Sequence, residues 1–406
     1  MKLLLLGDAA AGDALSEPAV WIGELVRRWG QGAHRVRLIG SPPIDPHTPP
    51  WEPPPGVEAM FPTADDWEAT LGEALTEQPE IVHVFGAPPF GPRVVEALRD
   101  QPLLLDVHDF WPICPRTDLL RQPSFEPCPE HHPFAGCGTC AGLLRLRTME
   151  VRAELAAAAR TIVCHCTPAR ERLEAGLGRP IERVEYGVDP MRFRPDPDPP
   201  RSPALLELFE QRDRPRVLFL GPPTPARGAM LLLDLLVAMQ ARLPDGVELV
   251  VAGRDPEEPE WERMLQAEAA ELGLSDRVRT IRRVPADDLP ALYACCPVAI
   301  APGTGVEAGL FVLQAMSSGV PVVAHEGPSQ AEWIAHGDDG ILVDSSDVAA
   351  FAAATAALLI DPMARSAFAE AARLRTMERH DLDRSIFALD ELYRRTHAAS
   401  RPSTAA

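Results

Sequence analysis

The feature that most restricts this chain is an alternation, sustained almost from end to end, of short, mostly apolar runs with longer stretches that are apolar on one helical face only. Parallel strands require this alternation, because each must be reached by a crossover long enough to cover the sheet. The first series predicts strands at 2–6, 36–39, 81–85, 103–107, 161–164 and 182–185. Between the first two, Ile22, Leu25, Val26 and Trp29 recur at helical spacing. After Arg201 a second series predicts strands near 216–220, 248–252, 279–282, 298–301 and 320–324. The proline-dense stretch 42–55 reads as a rigid surface loop, and 188–203, VDPMRFRPDPDPPRSP, as a stiff linker.

The expected fold class is therefore α/β, with two Rossmann-like parallel-sheet domains at 1–195 and 204–378. Residues 379–406 are expected to form a closing helix that packs back toward the first domain, then a frayed tail. A length of 406 residues suits two domains, and 46% hydrophobic with 24% charged residues is a globular composition. Asp and Glu total 59 against 39 Lys and Arg, a net charge of −20, which opposes nucleic acid or an anionic bilayer as the main partner. An anionic ligand must then be held by a local site. The opening MKLLLL is cut short by Asp8 and reads as a buried strand rather than a leader. With no run of about 18 uncharged apolar residues, the expectation is a cytoplasmic protein without a membrane span.

Two segments carry the chemistry. In 217–235, VLFLGPPTPARGAMLLLDL, a strand is followed by a loop from Gly221 to Arg227 and a helix expected to open at Gly228. A helix start beside a guanidinium suits a phosphate, since free N–H groups and fixed positive charge point at one place. In 300–323, IAPGTGVEAGLFVLQAMSSGVPVV, a strand leads into a loop with Gly303 and Gly305, and a helix begins near Gly309. Glycines allow close backbone approach to a phosphate, and Glu307 and Gln314, flanking that start, offer acceptors for sugar or ribose hydroxyls.

IVHVFGAPPFG at 81–91, LLLDVHDFWPICPR at 103–116, VEYGVDPMRFRP at 184–195, GPPTPARGAMLLLDLL at 221–236, the block 292–324 and GDDGILVDSSD at 337–347 together give the chain a resemblance to the GT-B-fold glycosyltransferases of family 4. That resemblance implies a retaining hexosyltransferase using a nucleotide diphosphate sugar. The acceptor is open (glycan, lipid or metabolite), and peripheral membrane contact is compatible with it. It implies His108 near the reacting sugar, Gly187 closing against the donor, the backbone at Gly309 and Leu310 as diphosphate cradle, and Arg227 in place of a lysine. Three departures stand out: Pro222 replaces an arginine, while Val306 and Gln314 replace a pair of glutamates, with Glu307 next to the first. Arg254, Arg282 and Arg283 are candidate replacements for the missing cation. The departures motivate an alternative reading, a GT-B-shaped binding or scaffolding protein without transfer. No Asp-x-Asp accompanies the candidate sites, and no catalytic metal is expected.

Cys114, Cys128, Cys137 and Cys140 lie in an insertion at 111–142, separated by thirteen, eight and two residues. The close Cys-x-x-Cys pair with two further thiols fits a structural zinc, with His131 and His132 as spare ligands; unligated thiols, a disulfide or an iron–sulfur cluster are the alternatives. Cys164, Cys166, Cys295 and Cys296 read as core packing.

Overall fold

The computed structural model describes residues 1–7, 16–32, 34–41, 51–63, 65–86, 91–121, 124–128, 137–211, 214–243, 245–253, 260–305 and 309–400. The chain divides into two compact units, one of Met1–Gly12, Pro18–Glu185 and Arg384–Ala406, the other of Asp13–Glu17 and Tyr186–Asp383.

In the first unit the strands are β1 (Lys2–Gly7), β2 (Arg35–Gly40), β3 (Val57–Met60), β4 (Ile81–Phe85), β5 (Leu103–Asp106), a two-stranded hairpin β6 (Leu120–Arg121) and β7 (Glu126–Pro127), β8 (Thr161–Cys164) and β9 (Glu182–Arg183). Seven of them form one sheet in the order β3-β2-β1-β4-β5-β8-β9, every neighbouring pair parallel. β4 and β5 are buried along their whole length, as a parallel sheet covered on both faces requires. The helix Glu17–Trp29 buries Ile22, Leu25, Val26 and Trp29, the predicted face, together with Trp21. Removing each such side chain from water contributes roughly 1.5–3 kcal/mol. β3 was not anticipated: its four residues follow the proline-dense stretch too closely to show an alternation of their own.

The second unit contains β10 (Arg216–Leu220), β11 (Glu248–Ala252), β12 (Val278–Ile281), β13 (Val298–Ala301), β14 (Val322–His325) and β15 (Ile341–Val343). They form a second all-parallel sheet, ordered β12-β11-β10-β13-β14-β15. This is the doubly wound order with its topological switch between β10 and β13, where open α/β sheets bind ligands. Its core joins Phe219, Leu236, Val251, Ile300 and Phe351 across sheet and helices.

The stretch 188–203 belongs to the second unit, so the division falls after Glu185 rather than at 195. Val188 N donates to His380 O at 2.8 Å, and Leu382 N donates back to Val188 O at 3.1 Å. Arg373 donates to the carbonyls of Pro190, Phe193 and Ser317, and the Phe193 ring is fully buried. Asp288 accepts from the backbone N–H groups of Arg201 and Ser202, each at 2.8 Å. Proline stiffness is thus reinforced by side chains that satisfy the segment's backbone. The chain re-enters the first unit at Arg384, and the helix Leu382–Ser400 packs there, with Tyr393 Oη 2.7 Å from His83 Nδ1.

Candidate functional site

At the carboxyl ends of β10 and β13 the second unit opens into a cavity of about 570 Å³, counted to its open mouth. Arg227, Gly303, Gly305, Tyr293, Phe311 and Gln330 are among its lining residues. Arg227 closes a short 3-10 turn, Pro225–Arg227, and Gly228 follows in the left-handed region at φ 84°. The next α-helix begins only at Leu232, after a second 3-10 turn, so the expected helix start at Gly228 is corrected. Prolines at 222, 223 and 225 delay it, because they supply no N–H to a first helical turn.

The Arg227 side chain is largely buried. Its guanidinium carbon lies 5.6 Å from the centroid of the Phe311 ring, and its Nη2 lies 3.9 Å from the carboxylate of Glu17, which groups with this unit. Gly221 makes room for it: φ is 111°, and a Cβ there would come within 2.9 Å of Arg227 Nη1. Gly303 is pressed onto the same turn, where a Cβ would stand 2.5 Å from Ala226 O. The glycine loop is also held from behind. Gln330 Nε2 donates to the carbonyls of Gly303 (3.2 Å) and Gly305 (3.4 Å), and Ser345 Oγ donates to Pro302 O at 2.6 Å while facing His325 Nδ1 at 3.1 Å. Burial lowers the His325 pKa below its ordinary value.

Gly309 and Leu310 begin the helix Gly309–Ser317, both buried. Gly309 is required by close approach, since a Cβ would meet the Trp333 ring at 2.8 Å. Glu307 and Val306 lie outside the described residues. Gln314 departs from expectation: it is wholly buried, absent from the cavity lining, and its Oε1 accepts from Tyr293 Oη at 3.1 Å. Five residues past Gly309, it lies on the part of the helix that packs inward. Burial lifts the Tyr293 phenol well above its ordinary pKa, so it remains a donor. Arg282 pairs with Glu262 at 2.6 Å and does not line the cavity; Arg254 lies outside the described residues.

In the first unit His108 follows β5 with its side chain almost fully buried, its Nε2 3.4 Å from Asp106 Oδ1. Burial, partly opposed by Asp106 and aided by His165 and His83, lowers its pKa to about 3, so the ring is neutral. Asp106 is itself held well below the ordinary carboxylate range: burial pushes it up, but the surrounding histidines outweigh burial. Gly187 is buried, one residue before Val188 pairs with Asp381.

The cysteine insertion is organised by backbone bonds: Cys114 N donates to Phe110 O and Cys128 N to Leu119 O, both at 2.7 Å, and Cys140 Sγ contacts Leu120 O at 3.5 Å. Among the described residues, the group whose ligand atoms are close enough to share a metal is Asp106, His108 and His165; the four cysteines form no such group. As described they do not fit a closed tetrahedral zinc site, and His131 and His132 lie outside the described residues.

Tyr293, Phe311, Gln330 and Ser345 were not anticipated as site-forming residues. Tyr293, Phe311 and Ser345 fall within stretches that carry the family resemblance but were given no role there, and sheet topology gathers them with Gln330.

Two doubly wound parallel sheets in this order make the chain a GT-B fold, matching solved glycosyltransferases of that class. Residues 207–375 match the family model described as glycosyl transferases group 1. Among curated proteins, the chain is 33% identical over 220 residues to the GDP-mannose-dependent alpha-(1-6)-phosphatidylinositol monomannoside mannosyltransferase of Mycolicibacterium smegmatis, covering 52% of this chain and 56% of the relative. It is 32% identical over 234 residues to the D-inositol 3-phosphate glycosyltransferase of Salinispora arenicola, covering 55% and 51%. The chain spans about half the length of the curated relatives it matches. Among solved structures, it is similar to the sucrose-phosphate synthase of Thermosynechococcus elongatus (TM-score 0.69, 18% identity, 98% of this chain and 100% of that one). It is also similar to the Anabaena protein HepE in complex with UDP and glucose (TM-score 0.66, 17% identity, 97% and 99%). Among the described residues no single helix is long and apolar enough to cross a membrane.

Proposed function

We propose that the protein is a glycosyltransferase that moves a hexosyl unit from a nucleotide diphosphate sugar to an acceptor hydroxyl with retention of configuration. The observation that carries this reading is the cavity at the switch of the second sheet, lined by Arg227 and by glycines that bring backbone close, within the segment that matches the family model. Arg227 and the backbone N–H groups of Gly309 and Leu310 are assigned to the leaving diphosphate, where preorganised charge stabilises the transition state most. Gly221 serves by leaving space for Arg227. A donor phosphate oxygen takes the acceptor proton on the face where the sugar–phosphate bond breaks, so the protein orients and stabilises rather than forming a covalent bond. His108 and Glu307 are assigned to the sugar, and Gly187 to closure against the donor. The acceptor is a glycan, lipid or metabolite hydroxyl, and the curated relatives make phosphoinositol-type acceptors the first to try.

A second reading, a GT-B-shaped binding protein without transfer, is favoured by one observation: Gln314 is spent on Tyr293 and gives no carboxylate to a ribose. Incubation with a panel of UDP-, GDP- and ADP-sugars separates the two. Release of nucleotide from one donor supports transfer, and nucleotide binding with no release from any of them supports the second reading.

A further inference from the structure

The first unit keeps one carboxylate entirely out of water and surrounds it with imidazole. Asp106, the last residue of β5, has its oxygens 2.7 Å from His165 Nε2, 3.4 Å from His108 Nε2 and 3.5 Å from His83 Nε2. The rings nearest and farthest from it are tied down at their other nitrogen, His165 Nδ1 to Val184 O at 2.8 Å and His83 Nδ1 to Tyr393 Oη at 2.7 Å. The His108 and His165 rings lie 4.7 Å apart between centroids, and Phe85 stacks on His83 at 3.8 Å. His165 and His83 are thus anchored on the side away from Asp106. An ionised carboxylate at this depth is tolerated only where donors face it, and His165 is the closest.

The cluster has the composition of a metal site but not its spacing. Two ligands each about 2.0 Å from a tetrahedral zinc stand about 3.3 Å apart, whereas 2.7 Å is a proton-sharing distance. We propose that Asp106 and His165 are positioning residues for His108, a fixed pair that holds the imidazole by its Nε2 edge and sets which nitrogen carries the proton. The Asp106 charge, 3.4 Å from Nε2, favours the proton on that nitrogen and leaves the lone pair on Nδ1, so His108 presents an acceptor rather than a cation to whatever it meets. The titratable groups that face the cluster are His83, Cys164 and Tyr393; burial favours the uncharged form of all three. This inference rests on the reading of His108 as the residue that meets the sugar.

The test is nitrogen NMR of the histidine side chains in the full chain, with His165→Gln and Asp106→Asn compared to the wild type. The wild type is expected to show His108 as the Nε2–H tautomer, without protonation down to about pH 5, and both variants to lose that preference. If Asp106→Asn does not fold, His165→Gln decides alone. Donor turnover in His165→Gln should fall about tenfold or more in kcat, with KM for the donor within about twofold and a shifted pH profile. An unchanged His108 tautomer and pH profile in His165→Gln overturns the proposal, as does a visible absorption band on adding cobalt(II) to the wild type, which would make the cluster a metal centre. If no donor is ever turned over, the functional reading fails while the NMR comparison still decides this one.

Discussion

The Arg227 guanidinium lies over the Phe311 ring, its carbon 5.6 Å from the centroid, with Gly221 beneath it and the cavity beside it. Packing on an aromatic face fixes the cation without consuming its donors in a bidentate ion pair, which leaves them for the diphosphate proposed above. Arg227→Ala should cost on the order of a hundredfold in transfer rate, the scale for one preorganised charge at a transition state. Thermal unfolding of that variant should stay within a few degrees of wild type, and a large fall in its midpoint would make Arg227 structural instead.

Gly221→Ala tests the same arrangement from below. The residue must adopt φ 111°, costing about 1–3 kcal/mol for alanine, and its methyl would press on the guanidinium. Nucleotide affinity is expected to fall along with stability, whereas Gly273→Ala, also at positive φ but with nothing near a Cβ, should lose stability alone. Equal affinities in the two variants would contradict this.

Stability should carry an acid-sensitive contribution from Glu248. Its carboxylate accepts from Arg216 Nε at 2.8 Å and Arg279 Nε at 2.7 Å, tying β10, β11 and β12 together. Burial pushes its pKa up, but the two arginines outweigh burial and hold it below the ordinary glutamate value. A depressed folded pKa stabilises above the unfolded value, and that contribution is lost as pH falls through the folded one. Glu248→Gln should cost about 2–4 kcal/mol at pH 7, less than the largest buried pairs because Arg279 is about a third exposed. Urea melts should show the gap between variant and wild type closing as the pH is lowered through the acid range; a gap independent of pH would refute the assignment.

Cys164 and Cys296 should resist alkylation in the folded protein. Burial pushes both thiols well above their ordinary pKa, and only the thiolate reacts. Iodoacetamide at pH 8, read by peptide mass, is expected to modify them about tenfold or more slowly than in urea, and equal rates would show that these thiols are not enclosed.

Much of the architecture is legible in the chain, because short, mostly apolar runs such as 81–85 and 298–301 alternate with longer stretches that are apolar on one helical face only. Arg227, Gly221 and Gly309 are legible too, since a strand, a glycine-bearing turn and a following helix are contiguous in sequence. Gln314 is misleading: a polar side chain on a helix reads as solvent- or ligand-facing until the partner, Tyr293, twenty-one residues upstream, is known. Asp106 passes as the end of an apolar strand for the same reason, its partners at 83 and 165 being assembled by the parallel sheet, and His83 in turn being met by Tyr393 of the returning helix, rather than by any local spacing.

The central claim is that the second unit holds a pyrophosphate at Arg227, and calorimetry of UDP, GDP and ADP against the wild type and Arg227→Ala tests it most directly. One diphosphate is expected to bind the wild type, and to bind the variant about tenfold or more weakly, as loss of a charge-assisted bond implies. Equal affinity in both proteins, or no binding of any diphosphate to the wild type, would contradict it.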